Sequence, residues 1–155
     1  MDQRTGLLAS DLVEMSQPEL DDLFRRSPAG PIPSGPVEGT VLFDPGTPLA
    51  HIAAKLAHLL FWQGKVFDPV AGELRNEILP VGVRAIAAKV YRAPSWLDGK
   101  ECIVLDYSET SVVAHWIRDE IRLVAPGLYL GLVFWEKERI LGFALANSTK
   151  AAVTS

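Results

Sequence analysis

Four consecutive strand-like segments fill the sequence between Gly82 and Ala146. Aliphatic or small side chains alternate in them with polar or aromatic ones, which is the two-residue periodicity of a sheet. A sheet of this length has to protect its edges, and closing it into a barrel removes them. The sequence therefore predicts a rolled, closed sheet whose interior is either filled by side chains or shared with an apolar ligand.

Capping and helix-breaking residues divide the N-terminal third. Ser16 and Glu19 have the spacing of a capping box and an apolar stripe follows them, which predicts a short helix over residues 17–26. The next ten residues contain four prolines and two glycines, which neither continue a helix nor donate regularly to a sheet. We therefore expect an extended strap over residues 27–37.

A first strand is expected over residues 38–43 and a second helix over residues 49–60. A cap residue followed by proline precedes this helix, and its apolar residues share one face. His51 and His58 lie on the opposite face, and no carboxylate or cysteine joins them at the spacing of metal ligands. We expect both to face solvent, and we expect no metal and no other cofactor.

Alternation and turn residues define the remaining strands. Residues 83–92 and 101–108 are separated by the turn dipeptide Asp98-Gly99, which predicts a hairpin. Residues 110–124 combine partial helical spacing with alternation, so we expect a short helix that runs into a strand. Further strands are expected over residues 62–67, 73–78, 128–135 and 139–146.

Length and composition bound the class of protein. The 155 residues predict a single domain, in which residues 1–15 and 147–155 are expected to be flexible. The net charge of −4 argues against a nucleic-acid partner, because neutralising phosphates requires clustered Lys and Arg. Cys102 is the only cysteine and lies in an apolar run typical of a core. No stretch approaches the roughly 18 apolar residues of a membrane span and no apolar leader is evident, so we expect a cytoplasmic protein.

Four motifs follow one another along most of the chain: Trp62-x-Gly64-Lys65-x-Phe67, Asp106-Tyr107, Arg118-Asp119-Glu120-Ile121-Arg122 and Gly127-Leu128-Tyr129-Leu130-Gly131. They resemble those of small lipocalin-like (calycin) barrels of unknown function, and loosely those of GXWXG-type domains, although Val41 stands where the latter carry a tryptophan. The resemblance implies a mainly β fold, an antiparallel barrel with two N-terminal or covering helices, one mouth and a central apolar cavity. It implies no catalytic residues. An α+β cone of the polyketide-cyclase type is the alternative.

Polar residues on the predicted strands are the candidates for catalysis. Lys89, in a cavity wall, would need a carboxylate such as Asp106 or Asp119, and the pair could polarise a carbonyl; otherwise Lys89 extends to solvent. Arg118 or Arg122 could bind a carboxylate or enolate oxygen at the mouth, and the alternative is a solvated or structural ion pair. The catalytic candidates are Lys89, Asp106, Tyr107, Arg118 and Asp119.

Aromatic and small residues are the candidates for substrate binding. Tyrosine and tryptophan can donate hydrogen bonds while they pack against an apolar ligand, although core packing explains them nearly as well. Glycine inside a strand provides either a tight bend or room for a ligand. The substrate-binding candidates are Trp62, Phe67, Asn76, Tyr91, Arg122, Tyr129, Gly131 and Trp135.

Two functional hypotheses follow. In the first, the barrel is a cofactor-independent cyclase or isomerase that acts on a hydrophobic polyketide- or terpenoid-like molecule by shape and a few hydrogen-bond donors. In the second, the cavity carries or sequesters a lipid-like ligand without changing it. The expected partner is a hydrophobic small molecule in both cases, and a homodimer is possible. No motif for hydrolysis, nucleotide binding or metal catalysis is present.

Overall fold

The computed structural model describes residues 6–42, 65–78, 83–108 and 116–147. The predicted second helix over residues 49–60 and the candidate Trp62 lie outside these residues.

Eight antiparallel strands close into a barrel. Each strand pairs with the next one along the chain, and the first pairs with the last. The predicted mainly β fold, a closed antiparallel barrel with short helices, is confirmed, and its up-and-down order is that of a lipocalin-like barrel. The strands are β1 (Gly35–Leu42), β2 (Lys65–Asp68), β3 (Glu73–Ile78), β4 (Val83–Pro94), β5 (Glu101–Asp106), β6 (Ile117–Ala125), β7 (Leu128–Trp135) and β8 (Glu138–Asn147).

Two short helices precede the barrel, α1 (Ala9–Val13) and α2 (Gln17–Arg25). The capping box that predicted α2 is present, since the Ser16 and Glu19 side chains each accept a hydrogen bond from the other residue's backbone N–H. The apolar face of α2 is buried, and so is Leu12 of α1, a helix in the segment expected to be flexible. Both helices belong to an apolar cluster on the outer face of the barrel.

The strands β5 to β8 are buried on both faces. Residues such as Leu105, Ile121 and Phe143 point into the lumen, where they form one apolar cluster. Their neighbours on alternate positions, such as Val104 and Leu130, point outward and pack with α1 and α2 in the second cluster. Burial on both sides explains why β7 is apolar along nearly its whole length, instead of alternating between apolar and polar residues.

The proline-rich strap packs against the lumen cluster and is hydrogen-bonded to β6 and β7. Ala29 packs into the lumen cluster, and the backbone N–H of Leu123 donates to the carbonyl oxygens of Pro28 and Ala29 at 3.0 and 3.2 Å. The Tyr129 hydroxyl donates to the carbonyl oxygen of Pro31 at 2.7 Å. The extended segment is shorter than predicted, because its last residues, from Gly35 onward, already belong to β1.

Gly131 marks a close contact inside the lumen. A Cβ at this position would lie 2.1 Å from Cζ of Phe143, which faces Gly131 across the β7–β8 ladder. The volume that glycine leaves open on β7 is therefore occupied by an aromatic ring. A glycine at this position was expected to provide either a tight bend or room for a ligand. It does neither, because the space beside it is used for packing.

We expect Gly131→Ala to lower the free energy of unfolding by about 2–3 kcal/mol, because the added methyl group overlaps the Phe143 ring. In the double variant Gly131→Ala/Phe143→Leu the smaller side chain relieves the overlap, so its cost should be less than the sum of the two single costs. Urea denaturation of the four proteins measures this coupling. Gly6→Ala, where a Cβ meets nothing within 4 Å, is the control. Additive costs would contradict the packing described.

Candidate functional site

An open groove of about 510 Å³ lies on the outer surface of the barrel wall. It extends between the β4–β5 connection, residues 95–100, and the β7–β8 turn. Three of the predicted site residues, Tyr91, Asp106 and Arg118, line it together. The described residues that line it are Tyr91, Trp96, Asp106, Ser108, Trp116, Ile117, Arg118, Glu136 and Lys137.

Asp106 is held in place by two hydrogen bonds. The Tyr91 hydroxyl donates to its Oδ2 at 2.8 Å, and the backbone N–H of Ser108 donates to its Oδ1 at 2.9 Å. Burial raises the pKa of the Asp106 carboxyl, but the bonds from Ser108 and Tyr91 and the nearby Arg118 outweigh it and leave the pKa below its usual value. Burial and the bond to Asp106 raise the pKa of Tyr91 to about 12. At neutral pH the carboxylate is ionised and the phenol is neutral.

Arg118 is oriented by contacts on several sides. Its Nε donates to Oε2 of the buried Glu120 at 3.1 Å, and its Nη2 donates to the Pro94 carbonyl oxygen at 2.8 Å. Its guanidinium carbon lies 4.3 Å from the centre of the Trp96 ring, the distance of a cation–π contact. Nη1 has no hydrogen-bond partner among the residues that the structure describes. Arg118 is therefore held in a fixed orientation at the groove.

Glu120 connects this arginine to the β4–β5 connection. Its Oε1 accepts a hydrogen bond from the Ser95 hydroxyl at 2.5 Å, and its Oε2 accepts one from the backbone N–H of Trp96 at 2.8 Å. The carboxylate is fully buried, and these donors together with Arg118 compensate its desolvation. Glu120 therefore fixes the Trp96 backbone and the Arg118 side chain against each other.

Exposed aromatic rings surround Asp106 and Arg118. Trp116 is 48% exposed, Trp96 41% and Tyr91 39%. Trp96 rests edge-on against Phe134 with ring centres 5.5 Å apart, and Trp116 lies against Trp135 at 6.1 Å. Single exposed apolar side chains are common on protein surfaces, whereas several of them grouped at one concave surface are typical of a binding site.

The β7–β8 turn beside the groove has an unusual backbone. Glu136 and Lys137 both have positive φ angles, 49° and 75°. A two-residue hairpin turn of this type favours Asn-Gly, and other residues adopt it at a cost. The chain therefore places two long charged side chains at the groove in a conformation that their residue types do not favour.

Tyr107 and Asp119 lie inside the lumen and are not part of the groove lining. The Tyr107 hydroxyl donates to Oδ2 of Asp119 at 3.0 Å, and both side chains are buried. Burial, followed by the charge and hydrogen bond of Asp119, raises the pKa of Tyr107 well above its usual value. Asp119 pairs with Leu105 and Val133 on the neighbouring strands, so the two polar side chains lie among apolar ones.

Arg122, a candidate for substrate binding, lies on the outer face of β6 beneath α2 and is 1% exposed. Its Nη1 and Nη2 form hydrogen bonds of 2.8 Å each to the two carboxylate oxygens of Asp98, and Nη1 also donates to the Phe24 carbonyl oxygen. The guanidinium lies 4.4 Å from the centre of the Phe24 ring. Arg122 therefore joins α2, the β4–β5 connection and the barrel wall, which is the structural ion pair that the sequence left as an alternative.

The other candidates are dispersed. Lys89 is exposed on the outer face, opposite Asp106 in the β4–β5 ladder. Phe67, Tyr129 and Gly131 belong to the lumen, while the partly buried Trp135 packs against the lumen cluster and Trp116. The side chain of Asn76 is not among those described. Sequence reasoning missed Trp96, Trp116, Glu120 and Lys137, although the alternation of Arg118, Glu120 and Arg122 along β6 could have indicated one shared outer face.

Comparisons with known proteins support the fold. No model of a protein family matches the sequence, and no curated protein matches it. The structure is similar to the crystal structure of a protein from Thermomonospora curvata, with a TM-score of 0.57 and 19% sequence identity, over 87% of this chain and 89% of that one. At this identity the similarity shows the fold alone. Within the described part of the chain, no helix has the length and apolar character needed to cross a membrane.

We expect Asp98→Asn to destabilise the protein by about 3 kcal/mol at pH 7, because it leaves the buried Arg122 without a counter-charge. The hydrogen bond from Arg122 lowers the pKa of Asp98. The Asp98–Arg122 ion pair therefore contributes to the free energy of unfolding above the unfolded pKa of Asp98, about 4. This contribution is lost as pH falls through the folded pKa, so the stabilities of wild type and variant should converge in acid.

Urea denaturation between pH 7 and pH 3 measures this convergence. Asp22→Asn, which removes an exposed ion pair with Arg26 on α2, is the control and should cost about 0.5 kcal/mol or less. A constant difference between wild type and Asp98→Asn at all pH values would contradict the assigned role of the ion pair.

We expect none of the three tyrosines to ionise near pH 10 in the folded protein. Burial is the main cause of a raised pKa at Tyr91, Tyr107 and Tyr129. The folded state therefore holds protons that the unfolded state releases at about pH 10, and the free energy of unfolding falls as pH rises above that value. Phenolate absorbance should rise near pH 10 in urea but not in buffer. A tyrosine that titrates normally in the folded protein would contradict the structure.

Proposed function

We propose that this protein binds a small organic molecule in the outer groove and carries or sequesters it without chemical change. The supporting observation is the convergence of three exposed aromatic rings on the Asp106–Arg118 pair. The sequence led us to expect a hydrophobic ligand in the lumen, and the proposal keeps the ligand but moves its site to the wall of the barrel.

The dimensions and lining of the groove fit a small molecule. Ligand sites for such molecules commonly have volumes of about 300–1,000 Å³, a mostly apolar wall and a few oriented polar groups. The groove of about 510 Å³ falls in this range, with Trp96 and Trp116 as apolar surface and Asp106 and Arg118 as polar groups.

The protonation states favour binding over proton transfer. A general acid or base works best when its pKa is close to the operating pH. Asp106 has a lowered pKa and is a weak base, while Tyr91 has a pKa of about 12 and is a weak acid. Both groups suit a site that holds a ligand by fixed hydrogen bonds and charges.

The cyclase or isomerase hypothesis has one supporting observation, the Tyr107–Asp119 pair in the apolar lumen. Burying a carboxylate costs free energy, and buried polar pairs are often kept for a function. In this second proposal a hydrophobic polyketide- or terpenoid-like molecule enters the lumen and Tyr107 contacts its oxygen. The cytoplasmic location and the homodimer stay predictions from the sequence.

Native mass spectrometry of freshly purified protein, followed by identification of the extracted ligand, separates the two proposals. We expect wild type and Tyr107→Phe to retain the ligand, while Trp116→Ala and Asp106→Asn bind it at least about tenfold more weakly because each alters the groove. Circular dichroism confirms that each variant is folded.

The opposite pattern would place the ligand in the lumen: Tyr107→Phe would lose the bound ligand and Trp116→Ala would retain it. Recovery of a chemically altered ligand after incubation would establish turnover and contradict a carrier. Protein without any ligand, which also fails to bind small aromatic molecules, would contradict both proposals.

A further inference from the structure

We propose that the ligand of the groove is a neutral ring compound that bears a hydroxyl group, of the phenol class, rather than a carboxylic acid. This inference rests on the proposed function and specifies what the groove recognises. It follows from the positions of Asp106, Arg118 and the tryptophan rings.

Asp106 and Arg118 face each other directly in the β5–β6 ladder, and both side chains line the groove. The Arg118 Nη1 offers two N–H groups without a partner among the described residues, and the ionised Asp106 accepts hydrogen bonds. A hydroxyl group both donates and accepts. One hydroxyl can therefore donate to Asp106 and accept from Arg118 at the same time.

The charge distribution disfavours a carboxylate at this position. The positive charge of Arg118 is already compensated by Glu120, whose Oε2 lies 3.0 Å from Nη2. The ionised Asp106 beside it would repel a second carboxylate, and the opposite charges of Glu136 and Lys137 add no net positive charge to the groove. A neutral hydroxyl avoids this repulsion and still satisfies both protein groups.

The aromatic lining supplies the remaining contact. Trp116 and Trp96 line the groove and are 48% and 41% exposed. A flat ring can stack on such side chains, and aromatic pairs prefer offset or edge-to-face arrangements. A ring with one hydroxyl at its edge therefore matches the two kinds of surface that the groove presents.

Three naphthalene derivatives test this inference by calorimetric titration at neutral pH, where 2-naphthol is uncharged. 2-Naphthol donates and accepts, 2-methoxynaphthalene only accepts, and 2-naphthoate carries a charge. We expect 2-naphthol to bind at least about tenfold more tightly than either of the others, because a site built to bind a hydroxyl rejects an analogue that lacks it.

The Asp106→Asn variant provides the sharper readout. Removing the negative charge should weaken 2-naphthol binding and strengthen 2-naphthoate binding. The ratio of the two affinities should therefore fall because both of them change. Asp22→Asn, which neutralises an exposed carboxylate on α2 outside the groove lining, is the matched control and should change neither affinity. A merely destabilised variant would weaken both compounds together.

Equal affinities for all three compounds, or a preference for 2-naphthoate in wild type, would overturn the inference. If, in either of these cases, Trp116→Ala no longer binds the compounds that wild type binds, the groove is still the binding site. The proposed function then stands and only the ligand class is wrong. If none of the three compounds binds wild type at millimolar concentration, the inference fails. The proposal that the groove binds small aromatic molecules then fails with it.

Discussion

Pairing of β1 with β8 closes the sheet, and the rest of the structure depends on this closure. Six residue pairs from Val37–Asn147 to Leu42–Gly142 join the two strands. Closure gives every strand a lumen face and an outer face, and it removes the edges that an open sheet would expose. The lumen face then packs around Phe143 and its neighbours, while the outer face is left for the helices and for the groove.

A row of alternating charges on the outer face of β6 connects the scaffold to the groove. Arg122, beneath α2, binds Asp98, and Glu120 binds Ser95 and the Trp96 backbone. Both residues therefore hold the β4–β5 connection against the barrel wall. Arg118 continues the row into the groove, where Trp96 stacks on it. The same strand thus builds a structural ion pair at one end and a candidate ligand contact at the other.

Local sequence signals predicted α2 and most of the strands, but they did not predict α1. The capping box predicted α2, and alternation with turn dipeptides predicted the hairpins of the barrel. The candidate site was predicted in part, since Tyr91, Asp106 and Arg118 converge. Trp96 and Trp116 were not among the candidates: Trp96 lies in the β4–β5 connection, and Trp116 lies in the segment that was expected to be a short helix running into a strand. These tryptophans reach the groove because distant backbone and ring contacts position them, through Glu120 in one case and Trp135 in the other. Alternation within one strand contains no information about such contacts.

The sequence by itself determined that alternate residues share a face and that the sheet has to close. Only the tertiary structure decided which face is the inner one. In β5, β7 and β8 both faces are mainly apolar, since one packs in the lumen cluster and the other packs in the cluster with the N-terminal helices. Hydrophobicity therefore could not distinguish inside from outside, and it could not show that Arg122 is buried beneath α2 while Arg118, four residues earlier, faces a groove.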